Sequence, residues 1–229
     1  MTPTQTSQNT DLVHEVEEDF RSFIEDNMFP CVAAKAALAR EQMKIFVAGH
    51  LACPKDDRDI LDFIYEFVDQ YRASDKDFHT ACVIFPQTHP LNEQAFDRLF
   101  WDRLQALSDL DSLNYPYDRR VDQNPASPNF SFSLKEEAFF IIGLFPGSSR
   151  DARKFRYPAI VFNPHEQFEE LRTLKRYDKM KNIVRKRDIE ATGSINPMLQ
   201  DFGDASEVYQ YSGLRYDKNW ECPFKYNKI

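Results

Sequence analysis

His165 is the residue around which a chemistry is most readily built. It follows the apolar run Ala159-Ile160-Val161-Phe162, which reads as a buried strand, and Asn163-Pro164, which breaks that run. The residue before a proline avoids the α region, and proline presets φ for a first helical turn, so a helix begins at or near His165. His165, Phe168, Glu169 and Arg172 then share one face by i, i+3, i+4, i+7 spacing. A histidine held by a strand on one side and a helix on the other suits a metal ligand or a catalytic base. The plainer alternative is a capping or solvent-facing histidine.

Cys31 is a second reactive candidate. In Phe29-Pro30-Cys31-Val32-Ala33-Ala34 it falls in the first turn of a new helix, where orphan N–H groups and the helix dipole favour a thiolate. Such a thiolate is a nucleophile or a metal ligand. The alternative is a small buried residue at a helix–helix corner. Anion-binding groups are more numerous. The turn Pro146-Gly147-Ser148-Ser149-Arg150, with Arg153 close behind, offers exposed N–H groups and two guanidiniums without Walker spacing. A helix over roughly Lys179–Ala191 carries Arg185, Arg187 and Asp188. Residues 172–187 hold eight Lys or Arg and one acid, a local charge of +7 that leaves −15 on the rest of a chain of net charge −8. This stretch is either a solvated helix face or an anion site for carboxylates or phosphates. Nucleic acid is not expected, because the remaining surface repels it and no nucleic-acid motif is present.

The elements that must position these groups follow from periodicity. Residues 1–10 read as a disordered tail. Leu12, Val16, Phe20, Phe23 and Ile24 make an amphipathic helix ending before Pro30. Lys44–Ala48 is a short strand. Ile60, Leu61, Phe63, Ile64, Phe67, Val68 and Tyr71 mark a strongly amphipathic helix, and Phe78–Phe85 a strand. Asn92 caps a helix that turns Phe96, Leu99, Phe100, Leu104 and Leu107 inward. Residues 111–129, with three prolines, are a long surface loop. Phe130–Leu134 and Ala138–Phe145 pair as a hairpin across Lys135-Glu136-Glu137. The expected fold is α+β, a single domain over 11–229 with a central mixed or antiparallel sheet flanked by helices.

Composition agrees with one large, packed domain: 229 residues, 42% hydrophobic, with 20 phenylalanines against 6 glycines. No run of 18 apolar residues exists, so no membrane span is expected. The first ten residues lack an apolar core of the signal-peptide kind, and Cys31, Cys53, Cys82 and Cys222 show neither CxxC nor zinc spacing. Reduced thiols and a cytoplasmic location are the expectation.

Several stretches together resemble one family. They are Phe29-Pro30-Cys31, Phe130-Ser131-Phe132-Ser133-Leu134, Ser149-Arg150, Phe162-Asn163-Pro164-His165-Glu166-Gln167-Phe168-Glu169 and Arg187-Asp188. Gly193-Ser194-Ile195-Asn196-Pro197-Met198-Leu199, Ser206-Glu207, Gln210-Tyr211-Ser212-Gly213 and Trp220 to Phe224 complete the set. In this order they resemble the YqcI/YcgG family over about residues 20 to 224. Val208-Tyr209 and Leu214 depart from the family pattern, close to where substrate choice would lie. The resemblance implies a haem b-dependent N-hydroxylase, a monooxygenase acting on a guanidino or amine nitrogen of arginine or an arginine-like intermediate. The oxidant would be O₂ with an electron-donor protein, or peroxide.

Under that implication the residues take provisional roles. His165 is the leading axial ligand, with Glu169, Asp188 or a backbone carbonyl to brace its ring; Cys31 is the rival and Cys222 a weaker third. Arg150, Arg153, Arg172, Arg185 and Arg187 are candidates for haem propionates or a substrate carboxylate. Glu207 and Asp201 are candidate carboxylates for a guanidinium, and Asn196, Gln210 and Tyr211 candidate pocket residues. Two other classes stay open: a non-catalytic module binding haem or a small zwitterion, and a thiol enzyme using Cys31 with His165 as base.

Overall fold

In the computed structural model, residues 3–227 are described apart from 75–77, 90, 174, 176–180, 184, 188 and 190–202. The chain begins with helix α1 (Pro3–Glu25). Residues 3–10, expected as a disordered tail, are its first turns; Pro3 stands at the first helical position, where a missing N–H is no loss. The stripe Val16, Phe20 and Ile24 then buries this helix against α2 (Val32–Ala39) and the sheet.

Five strands form one mixed sheet: β1 (Met43–Val47), β2 (Thr80–Ile84), β3 (Phe132–Leu134), β4 (Glu137–Leu144) and β5 (Ala159–Pro164). Their order across it is β1-β2-β5-β4-β3. Only β1 and β2 run parallel, joined through helix α3 (Asp57–Arg72); the other pairings are antiparallel. Side-chain alternation divides the core into two layers. Ala81, Val83, Ile160 and Phe162 face the larger layer, with α3 and helix α4 (Glu93–Asp111). Cys82, Ile84 and Ala159 face α1 and α2. This is the single α+β domain expected.

Local chemistry explains the helix ends. The Asn92 side chain accepts from the Ala95 N–H at 2.8 Å, the N-cap read from sequence. Asp57 and Asp59 open α3 and Arg72 closes it, each complementing the helix dipole. Inside, the Arg103 guanidinium forms a buried ion pair with Asp57 and donates to the carbonyls of Leu51 and Cys53.

The hairpin turn is tighter than expected: two residues, Lys135 and Glu136, both left-handed at φ 52° and 54°. Neither is the Asn or Gly that such a turn prefers. It is held from outside instead: Arg72 donates to both carbonyls at 2.9 Å, and the Asp111 carboxylate accepts from the Lys135 N–H.

β3 covers β4 only as far as Phe139, paired with Phe132. Beyond it the β4 edge is covered by the one-turn helix Val208–Tyr211. The Tyr211 hydroxyl donates to Phe139 O and accepts from the Phe132 N–H, at the fork where β3 leaves β4. Arg153 donates to the carbonyls of Gly143, Gln210 and Tyr211, which fastens the short helix to the strand.

Candidate functional site

The strand carrying the site does not break where proline suggests. β5 continues through Asn163-Pro164, and helix α5 (His165–Thr173) starts at the next residue. The pairing with β2 has ended at Phe162, so a residue without an N–H is tolerated there. Asn163 stiffens the corner: its side chain donates to Phe140 O at 3.2 Å and accepts from Thr80 Oγ1 at 3.0 Å.

His165 therefore enters α5 from a fixed strand end and is 7% exposed. Its Nε2 lies 3.3 Å from Glu169 Oε1, and Glu169 is ion-paired in turn with Arg172. The i, i+3, i+4, i+7 face read from sequence has thus assembled. Burial lowers the imidazole pKa to about 4; Arg172 and Arg120 add to this, and Glu169 opposes it. At neutral pH the ring is uncharged.

Beside it lies a cluster that sequence reading missed. The Arg120 guanidinium, from the long loop, grips Asp118 through Nε and Nη2, with Nη2 to Oδ2 at 2.6 Å. The same group reaches Glu137 Oε1 at 2.8 Å and Glu166 Oε2 at 3.0 Å. Glu137, 1% exposed, also receives Arg72. Burial pushes the Asp118 carboxyl up, but hydrogen bonds from Arg120 and from the Ala138 N–H outweigh it and hold it below its ordinary value. A concavity of about 600 Å³ opens next to this cluster, lined by residues 117–123 and Asn129.

Glu207 precedes the one-turn helix and is 4% exposed. Its Oε1 meets Ser131 Oγ at 2.8 Å and the Tyr211 hydroxyl more closely still. Burial raises its pKa to about 8, against the lowering effect of Tyr211, Ser131 and Arg172. The acceptor-only carboxylate expected at this position is thus largely an un-ionised acid at neutral pH. Tyr211 and Gln210 are buried with it.

The remaining candidates separate. Cys31 does stand at the N-terminus of α2, with the Ala33 and Ala34 N–H groups lowering its pKa. Burial outweighs them and pushes the thiol up, so the expected thiolate is not favoured. Cys31 lies in the α1–α2 layer, not at the β5–α5 corner. Arg153 is a buried clamp on backbone carbonyls, and Arg150 follows the turn after β4, at the strand end away from His165. Arg185 and Arg187 lie in helical residues 185–187. Asn196, Asp201 and Asp188 lie outside the described residues. Among the described residues no cluster of three or more His, Cys, Asp or Glu offers a ready metal cage. No helix among them is long and apolar enough to cross a membrane.

The fold and site define a single-domain α+β protein with a buried neutral histidine, a buried acid and a caged guanidinium at one end of its sheet. The chain belongs to the YqcI/YcgG family, whose model matches residues 20–225. It is similar to the uncharacterized protein YqcI of Bacillus subtilis (strain 168), 28% identical over 211 residues, covering 87% of this chain and 81% of the relative. Uncharacterized protein YcgG of the same organism is 29% identical over 215 residues, covering 87% and 82%. No solved structure matches.

Proposed function

We propose that this chain is a haem-dependent N-hydroxylase acting on a guanidino or amine nitrogen of arginine or an arginine-like small molecule. The observation that carries the reading is His165, a buried imidazole kept neutral and braced by a carboxylate, the pairing that metal-bound histidines adopt. Haem requires an iron ligand, apolar surface and cations for its propionates, and the residues present fit these needs. His165 supplies the first. Phe140 and Phe168, in edge contact at 6.2 Å, flank its corner, and Arg172 is a partly exposed cation on the same helix.

Burial also supports His165 over Cys31 as the ligand. It pushes the Cys31 thiol up, away from the thiolate that ligates, whereas it favours the neutral imidazole that ligates at His165. When bound, haem would supply an activated oxygen atom, drawn from dioxygen with two electrons from a donor protein or from peroxide. The chain's own residues hold and orient. Glu169 fixes the His165 ring, and Glu207 holds a proton at the hydrogen bonds of Tyr211 and Ser131. A neutral Glu207 accepts from a guanidino N–H through its carbonyl oxygen without countering the charge of the group. The four unbridged cysteines fit the cytoplasmic setting expected for such an enzyme.

The test is spectroscopic and chemical. Haem added to the purified protein should give a saturable Soret band, which His165→Ala abolishes and Cys31→Ser leaves unchanged. Incubation with arginine and an oxidant should give a product heavier by one oxygen on a guanidino nitrogen. A colourless protein ends the reading; a haem complex that oxidises no nitrogen compound makes this a haem-binding module.

A further inference from the structure

Three side-chain oxygens are sealed inside the fold without a hydrogen bond among the described residues, on side chains that all touch His79: Gln42 Oε1, Tyr71 Oη and Gln167 Oε1. Four elements bring these residues together. Gln42 lies between α2 and β1, Tyr71 in the last turn of α3, Gln167 in the first turns of α5, and His79 directly before β2. Gln42 Nε2 is 3.2 Å from His79 Nε2, and Gln167 Nε2 donates to His79 O at 3.1 Å. The Tyr71 ring meets the imidazole edge-on at 5.5 Å.

These orphans are not errors of amide orientation. Turning Gln167 would set oxygen against the His79 carbonyl. Turning Gln42 would exchange an orphan acceptor for an orphan donor. Tyr71 is 0% exposed and Gln167 5% exposed, so bulk water does not reach them. A buried polar group without a partner is unfavourable, and native folds rarely keep three in one place.

The chemistry of the gap is specific. Two of the oxygens are amide carbonyls, which only accept. The missing partner is therefore a donor with several N–H or O–H groups. The Tyr71 hydroxyl also feels the carboxylates of Glu137, Glu166 and Glu170, with Arg120 the opposing cation, so the local field favours positive charge. Phe67 stacks along Tyr71 at 6.4 Å and adds an aromatic wall.

We propose that the space bounded by Gln42, Tyr71, His79 and Gln167 binds a small primary ammonium group, which donates its N–H bonds to the side-chain oxygens of Gln42, Tyr71 and Gln167. The site is separate from the proposed haem ligand and does not depend on it. Gln167 stands two residues after His165 on α5, so the two side chains leave the helix on different faces.

The experiment titrates the full chain with methylammonium chloride, and in parallel with tetramethylammonium chloride and sodium chloride at equal ionic strength. Thermal midpoint and the side-chain amide resonances of Gln42 and Gln167 are read together. Methylammonium alone should raise the midpoint saturably and move both amide signals. Tyr71→Phe and Gln167→Met should each weaken that binding about tenfold or more, as loss of one hydrogen bond from a charged donor requires. The resonances of the wild-type protein decide the matter even if a variant folds poorly. Equal responses to tetramethylammonium, or amide signals that methylammonium leaves unmoved, overturn the proposal and leave ordered water as the partner of these oxygens.

Discussion

Replacing Glu207 by Gln should change the pH dependence of stability more than stability itself. Glu207 has an ordinary pKa of 4.5 and a folded pKa of about 8. Between those values the folded state binds a proton that the unfolded state has released. Stability therefore falls as pH rises through this window, and the full penalty is present above pH 8. The displacement corresponds to roughly 3–5 kcal/mol of stability lost across the window. The Gln oxygen, placed where Oε1 stood, still accepts from Ser131 and Tyr211, and the side chain does not titrate. Glu207→Gln should then match the wild type near pH 5 and exceed it by a few kcal/mol near pH 9, on the order of that window. Urea unfolding followed by circular dichroism at several pH values measures the difference, and His165, common to both proteins, cancels. A variant less stable than the wild type at pH 9 would mean that Glu207 is a stabilised carboxylate, and the proton placed on it would be wrong.

Other outcomes follow from the same structure. His165, lowered to about 4 from 6.5, contributes stability above pH 6.5 that is lost as pH falls through 4. His165→Gln should remove roughly 3 kcal/mol of that acid-side slope in a urea series. Asp57→Ala strands the buried Arg103 guanidinium and should cost about 3–5 kcal/mol, whereas the double replacement Asp57→Ala, Arg103→Met should recover most of it. Glu136→Gly relieves a left-handed non-glycine residue and should stabilise by about 1 kcal/mol, read from the chemical-denaturation midpoint. Arg120→Ala leaves Asp118 and Glu137 facing each other without their shared cation, and should lower the thermal midpoint most at neutral pH and least in acid.

Local signals in the sequence carried far. The 3.6-residue stripe of α3, the Asn92 cap and the strand pair on either side of Lys135 each follow from side chains within a few residues of one another. The His165–Glu169–Arg172 face was legible for the same reason, being one helix surface. What stayed hidden is non-local. Arg120 joins a loop carboxylate, a hairpin carboxylate and a helix carboxylate; only the Asp118-Arg120 spacing was visible, inside a proline-rich segment that read as surface. The state of Glu207 depends on burial under elements distant in sequence, so its acid side chain suggested a carboxylate where the fold keeps an acid. Cys31 shows the same limit: its helix-terminal position was right, but burial reversed the expected effect on the thiol. Pro164 was misread because its tolerance depends on where the neighbouring strand stops.

The bare stretch of β4 has a consequence for how the chain comes into being. Synthesis completes β4 and β5 well before Tyr211 emerges, so carbonyls such as Gly143 O wait without their cover. Until then a second nascent chain competes for that edge by strand addition. Arg153, already present, cannot close it alone, because two of its three carbonyl partners belong to Gln210 and Tyr211. Shortening the chain before Val208 also strips Val208, Tyr211 and Phe224 from the larger core layer, and should consequently produce a destabilised protein that self-associates through its sheet; the late-arriving short helix is what makes the finished molecule a closed one.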